Sequence, residues 1–417
     1  MPVEQTQKIH SEVLANGIKI LFVENPAADI ISGRIFFKDA GMRAIPQKKA
    51  GLTHLLASVI TKGTQGLSSA QIAERIESVG ASLGADAAAD YFLISLKTVS
   101  KDFSAIFQLA GEILRSPSFP QEEFELEQGL TLQDIRSQQE QPFNVAYNQL
   151  RQFMYKQHPY GVSVLGTQET VSQLTRQDLQ EFHQNFFQPS KMVVSISGRL
   201  KPEAAFKLVQ ETFGDWQVSS KSPSPHEIPN LESQPEAGTI TQDTQQSIVI
   251  LGYLASSVYQ PDFFALKLLN TYLGNGLSSR LFVELREKRG LAYDVSSFYP
   301  TRVDHSQFVV YIGTAPENTE IALTGLRQET KRLCETELTS EELQTAKNKL
   351  LGQYALGKQT NSEIAQIYGW YETLNLGVDF DVQFQEEIAK VTPQLGQETA
   401  CRYFGEPYVS IVGPVGE

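Results

Sequence analysis

A chain of 417 residues is longer than one ordinary core holds, and its 41% hydrophobic and 20% charged composition suits a soluble protein of two domains of about 200 residues each. A net charge of −13 argues against nucleic acid or an anionic membrane as partner, since both demand basic patches. The two cysteines, Cys334 and Cys401, have neither a disulfide framework nor zinc-type spacing, and no secretory leader or bilayer-spanning apolar run is evident, so a reducing, cytoplasmic setting is expected.

In chain order, strand-like alternation covers His10 to Val23 and Ile31 to Lys38, separated by Glu24-Asn25-Pro26. Apolar residues at helical spacing predict a helix from Leu52 to Ile60. A second helix is expected from Ser69 to Val79, capped by Ser68 or Ser69. A strand pair follows at Ala81 to Ala88 and Tyr91 to Val99, then helices at Ser104 to Arg115, Gln121 to Gln139 and Val145 to Tyr155. The helix Thr175 to Phe186 leads into an apolar strand, Met192 to Ser197. The proline-rich stretch 221–238 reads as a linker between domains at 1–220 and 239–417.

Those two halves repeat. Thr175 starts a helix that ends at Phe186-Phe187 and runs into Met192 to Gly198, and Thr392 starts one that ends at Tyr403-Phe404 and runs into Tyr408 to Gly413. Gln121 to Gln139 has its counterpart in Glu341 to Tyr354. Duplication of an α+β unit is the expectation.

The helix at Leu52 has the outline of a metal site without its chemistry. His54 and Ser58 stand four apart on one face; with Glu at 57 and His at 58 the stretch would read HxxEH, two zinc histidines and a general base. The sequence instead has Ala57 and Ser58. No HExxH or other HxxEH occurs elsewhere, and the plain alternative for His54 is a packed histidine at the core's rim.

Three groups of residues together resemble the M16 metallopeptidases, in the short two-domain branch. They are Gly51-Leu52-Thr53-His54 with Lys62-Gly63-Thr64, His158-Pro159-Tyr160-Gly161 with Leu165-Gly166-Thr167, and Ser278-Ser279-Arg280-Leu281 with the run from Leu285 to Tyr293. The resemblance implies two α+β halves, each a sheet flanked by helices, and a pair of chains closing around a peptide. It places the family's first zinc histidine on His54, its general base on Ala57, its second histidine on Ser58 and its third ligand on Asp134, with Glu127 as the paired acid. Catalytic zinc takes three protein ligands and a water. His54 and Asp134 supply at most two, and Ala57 moves no proton, so no zinc is expected in this chain.

The resemblance also gives Arg286 and Tyr293, seven apart, the roles of substrate anchor and oxyanion donor, reaching a site from the C-terminal half. Gly274 and Gly276 fall where some non-catalytic subunits carry a substrate-touching glycine loop. The bland alternatives are a surface arginine beside Glu284 or Glu287 and a packed tyrosine at a strand start. The expected function is a non-catalytic subunit that pairs with an HxxEH-bearing M16 chain, which holds the zinc and acts on peptides or unfolded segments. The alternatives are a homodimeric peptide-binding clamshell, a scaffold resembling the core proteins of the bc1 complex, and a residual metalloenzyme built on His54 and Asp134.

Overall fold

The computed structural model describes residues 8–217 and 228–414. Within the expected linker, 221–227 lie outside the described residues, and 228–236 run without regular structure into a strand.

In chain order the structure opens with β1 (Ile9–Val13), β2 (Lys19–Glu24) and β3 (Ile30–Lys38). The helices α1 (Leu52–Ile60) and α2 (Ser69–Glu77), the strands β4 (Ser82–Ala87) and β5 (Tyr91–Val99), and the helices α3 (Phe103–Arg115), α4 (Gln121–Gln139) and α5 (Pro142–Tyr155) follow. Next come α6 (Gln168–Gln173), α7 (Arg176–Phe186), β6 (Met192–Gly198) and α8 (Pro202–Phe213). The remainder holds β7 (Ala237–Thr241), β8 (Ser247–Ala255), α9 (Asp262–Gly274), β9 (Asp294–Phe298) and β10 (Ser306–Thr314). It closes with α10 (Thr319–Glu335), α11 (Ser340–Leu356), α12 (Asn361–Thr373), α13 (Phe380–Lys390), α14 (Pro393–Tyr403) and β11 (Tyr408–Gly413).

Local chemistry accounts for most of these boundaries. Ser68 caps α2 in a capping box with Gln71, and Thr175 caps α7 in one with Asp178, so each hydroxyl accepts an otherwise orphaned backbone N–H. The single strand expected from His10 to Val23 is instead the antiparallel pair β1 and β2. The chain turns at Asn16, whose side-chain amide donates to Phe213 O at 2.8 Å. The turn itself is local, Asn16-Gly17 with Gly17 at φ +90°, a hairpin signal that apolar alternation alone does not register.

The two sheets repeat one topology. The first is ordered β1-β2-β6-β3-β5-β4 and the second β7-β11-β8-β10-β9. With β1 set aside, the orders match strand for strand, each with one parallel pair, β2 with β6 and β7 with β11, and antiparallel pairs elsewhere. This is a duplicated α+β architecture.

By contact, the chain divides into a first unit of Met1–Ile135, Ser163–Glu227 and Ala355–Val378 and a second of Arg136–Val162, Ile228–Tyr354 and Asp379–Glu417. The boundaries expected at 1–220 and 239–417 therefore miss an exchange: α5 belongs by contact with the second sheet and α12 with the first. In the first unit, Ile31, Ile35 and Phe37 face the apolar core with α1 and α3, while the alternate residues of β3 meet α12. Ser32 Oγ lies 2.9 Å from Ser362 Oγ, and Arg34 Nε donates to Gln366 Oε1 at 3.1 Å. A Cβ on Gly369 would meet Phe36 Cε2 at 2.4 Å, so the helix sits at backbone distance from the sheet. The second unit does the same with α5, where a Cβ on Gly252 of β8 would meet Met154 Sδ at 2.7 Å.

Candidate functional site

In the first unit the helix α1 starts at Gly51, whose φ of +95° is open to glycine and costly for other residues. A Cβ there would also meet Leu165 O at 2.7 Å, and one on Gly166, at φ +80°, would meet Ala50 O at 2.4 Å. The stretches around Gly51 and Gly166 thus press backbone against backbone. Thr170 Oγ1 adds a hydrogen bond to Ala50 O at 2.8 Å. Lys62-Gly63-Thr64 is built into the same frame through Thr64 Oγ1, which donates to the Glu112 carboxylate at 2.6 Å.

His54 is partly buried on this helix. Desolvation pushes its imidazole below the ordinary 6.5, and the charges of Asp134, Glu127 and Asp86 pull in the opposite direction. Asp134 and Glu127, the positions that the resemblance implies for acids near this helix, thus lie close enough to act on the His54 charge. The remaining donors are lacking. Ser58 Oγ donates back to His54 O at 3.3 Å, Ala57 is 6% exposed against the core, and Asp134 is exposed. Glu127 is held by Lys62, Nζ to Oε1 2.8 Å, so its charge is already answered. Among the described residues no group of three His, Cys, Asp or Glu side chains could hold a metal ion. One imidazole, an inward-bonded hydroxyl and a lysine-paired carboxylate do not fit a catalytic zinc, which takes three protein ligands.

The motif at His158 is architectural. In the second unit the ring is 1% exposed; Nδ1 accepts from Tyr160 N at 3.1 Å, leaving Nε2 to face Asp304 Oδ2 at 3.2 Å. It fixes the turn after α5.

The second unit also carries Arg286 and Tyr293, both in the connection from α9 to β9. Phe282–Glu287 forms one turn of π-helix, closed by Lys288 N donating to Val283 O at 3.0 Å. Such turns are rare and costly enough that they cluster at functional positions. Buried groups hold this one in place. Leu281 and Leu285 are fully enclosed. Glu329 of α10, 4% exposed, accepts from Arg280 Nε at 2.8 Å and faces Arg289 Nη2 at 3.6 Å, thereby gripping both flanks of the turn. Glu284, offered by the sequence as a neighbour for Arg286, is instead taken by Lys288 at 2.8 Å and Arg280 at 3.2 Å. The hydrogen bond from Lys288 and the nearby cations hold its carboxyl below the usual range.

Arg286 is left exposed, its guanidinium 5.0 Å from the Phe282 ring, with no ion pair among the described residues. Tyr293 stands at the start of β9 as expected but is not packed. Its backbone N–H joins Gly313 O at 2.8 Å while the residue is 63% exposed. Gly274 and Gly276 separate in role. Gly274 is buried where a Cβ would meet Ser297 N at 2.1 Å, so it lets α9 end against β9. Gly276, at φ +81°, is exposed in the turn that follows, beside Leu277 at 74% exposure.

Sequence reasoning missed Lys62 and the Arg280–Glu329–Arg289 cluster. Lys62 lay one turn beyond Ser58 on the same face and was legible by helical spacing. The cluster joins residues 49 apart, and nothing local marks it.

Two family models match the chain: Insulinase (Peptidase family M16) over residues 19–168, and Peptidase M16 inactive domain over residues 173–350. Relatives include an uncharacterized zinc protease, YmxG, of Bacillus subtilis, 24% identical over 409 residues, covering 96% of this chain and 97% of that protein. Another uncharacterized zinc protease, of Streptomyces coelicolor, is 28% identical over 373 residues, 88% of this chain and 81% of that protein. Among solved structures, a protease from Helicobacter pylori superposes with a TM-score of 0.90 at 23% identity, covering 98% of this chain and 100% of that one. A peptidase M16 inactive domain from Pseudomonas fluorescens gives 0.86 at 24% identity, covering 98% and 99%. The structural likenesses speak for the fold.

Proposed function

Because the chain belongs to the M16 peptidase family, we propose that it is a cytoplasmic subunit without a metal site of its own. It pairs with an HxxEH-bearing M16 chain and lends Arg286 and Tyr293 to peptide turnover at that partner's zinc. The observation that supports this reading is an asymmetry between the two candidate sites. The positions for a general base and a second zinc ligand hold Ala57 and Ser58, one packed and one bonded back into its helix. Arg286, by contrast, stands exposed and without an ion pair among the described residues, on a π turn that a buried carboxylate secures at both flanks.

The chemistry asked of this chain is binding and charge stabilisation. The planar fork of N–H donors on the Arg286 guanidinium suits a peptide carbonyl or carboxylate. Tyr293, 63% exposed, supplies a hydroxyl donor for the oxygen that gains charge when an amide is attacked. Gly276 leaves its exposed turn open to an approaching peptide backbone, whereas buried Gly274 serves packing. Peptides or unfolded segments are the substrate class, and the zinc is the partner's.

The test is co-purification from the native extract followed by peptidase assay of the pair. An HxxEH chain should accompany this one, with zinc in the complex. Arg286→Ala and Tyr293→Phe should each lower kcat by roughly 10²-fold or more, as loss of an oxyanion donor does. Zinc-dependent hydrolysis by the isolated chain overturns the reading. Unchanged turnover in Arg286→Ala also overturns it and favours a homodimeric peptide-binding clamshell or a core-protein-like scaffold.

A further inference from the structure

Cys334 and Cys401 are the two cysteines of the chain, and 66 residues of sequence separate them. The second unit folds them together. Cys334 sits in the last turn of α10, half-buried, and Cys401 near the end of α14, exposed. Cys401 Sγ donates to Cys334 O at 3.2 Å, and Cys334 Sγ approaches Phe404 O at 3.9 Å. Gln397 Nε2, one turn before Cys401, also donates to Cys334 O, at 3.0 Å. Two side chains of α14 and the carbonyl of Phe404 just after it thus hold the end of α10.

We propose that Cys334 and Cys401 are a modification site, a dithiol that closes to an intramolecular disulfide between α10 and α14 and reopens on reduction. The Cys401 thiol is hydrogen-bonded to the backbone carbonyl of Cys334 itself, and burial first, then Cys401 beside it, pushes the Cys334 thiol up to about 12. The pair is therefore asymmetric. Cys401 is the exposed sulfur that reacts first, and Cys334 is the enclosed resolving sulfur, protonated until its neighbour has lost its thiol.

A small-molecule disulfide such as oxidised glutathione is the oxidant. The Cys401 thiolate attacks one of its sulfurs, forming a mixed disulfide and expelling one glutathione thiolate. The Cys334 thiolate then attacks Cys401 Sγ, forming the internal bond and expelling the second. The two cysteine protons end on the two glutathiones. The protein is oxidised by two electrons and the glutathione disulfide is reduced by two, so the exchange balances. It is reversed by excess glutathione or a dithiol reductant. None of this depends on the peptidase reading, because the readout is thiol chemistry.

The experiment treats the reduced full-length chain with oxidised glutathione, then combines thiol titration, intact mass and peptide mapping. The wild type should lose both titratable thiols and two hydrogens in mass. It should stay monomeric on a non-reducing gel, with the peptides carrying Cys334 and Cys401 linked until reductant is added. Cys334→Ser should trap one glutathione on Cys401, whereas Cys401→Ser should stay unmodified. Two glutathione adducts without a link, two surviving thiols, or a covalent dimer through Cys401 would each overturn the proposal. The decisive measurement is on the wild type, so a poorly folding variant leaves it intact.

Discussion

Glu329→Gln tests whether a buried carboxylate fixes the turn that carries Arg286. The native side chain is 5% exposed and receives Arg280 Nε at 2.8 Å and Arg289 Nη2 at 3.6 Å. Removing one partner of a buried pair costs about 3–5 kcal/mol when the other charge is stranded. Here the stranding is partial. Arg280 is 23% exposed and keeps Glu284 at 3.2 Å, Arg289 is 37% exposed, and the new amide still accepts one hydrogen bond. A loss of about 2 kcal/mol follows. For a cooperative unit of roughly 200 residues that lowers Tm by about 4–8 °C. Circular dichroism melts of the full chain at neutral pH measure it. Hydrogen exchange at the Lys288 and Gly290 amides, bonded to Val283 O and Arg286 O, reports the turn itself. A Tm within about 1 °C of wild type, with unchanged exchange at both amides, would refute the claim that Glu329 anchors the π turn.

Gly51→Ala places a Cβ 2.7 Å from Leu165 O at a φ of +95°; strain and overpacking together should destabilise the chain by about 2–4 kcal/mol in urea titrations, and a loss within error would show that the frame around Gly166 yields. Burial holds His54 below 6.5, and burial outweighs the hydrogen bond to Leu114 O in holding His183 below it too. Unfolding then takes up protons, so stability is full above the unfolded value and falls as pH drops from about 6.5 toward the folded values. Urea midpoints at about pH 7 and pH 5 should show the drop, and His54→Gln should shrink it; an equal drop in His54→Gln would remove His54 from the account. Ser58→His sets a second imidazole one turn from His54 beside Asp134 and Glu127. Zinc binding should appear by calorimetry where the wild type shows none, and hydrolysis should stay absent because Ala57 moves no proton. Equal zinc affinity in the wild type would overturn the reading of α1.

The sequence carried the local elements because their causes are local. α1 runs from Leu52 to Ile60 as its apolar spacing predicts, and α4 spans the expected Gln121–Gln139. The cap residues Ser68 and Thr175 sit where their hydroxyls satisfy neighbouring N–H groups. The repeat of Thr175 to Gly198 in Thr392 to Gly413 correctly announced two sheets of one topology. The chemistry of position 57 was equally plain, since an alanine side chain offers neither a ligand nor a base in any fold.

Only the tertiary structure assigned α5 to the second sheet and α12 to the first, because an amphipathic helix does not specify in sequence which sheet its face will cover. The same holds for Glu329 between Arg280 and Arg289 and for Cys334 beside Cys401, groups that meet only after distant elements pack. The exposure of Arg286 was likewise a tertiary outcome. Its near neighbour Glu284 was drawn to Lys288 and Arg280, and the helical register widened to a π turn around buried Leu285. Periodicity and capping act over one or two turns and are written in the chain, whereas charge pairing and face selection compare partners across the whole fold.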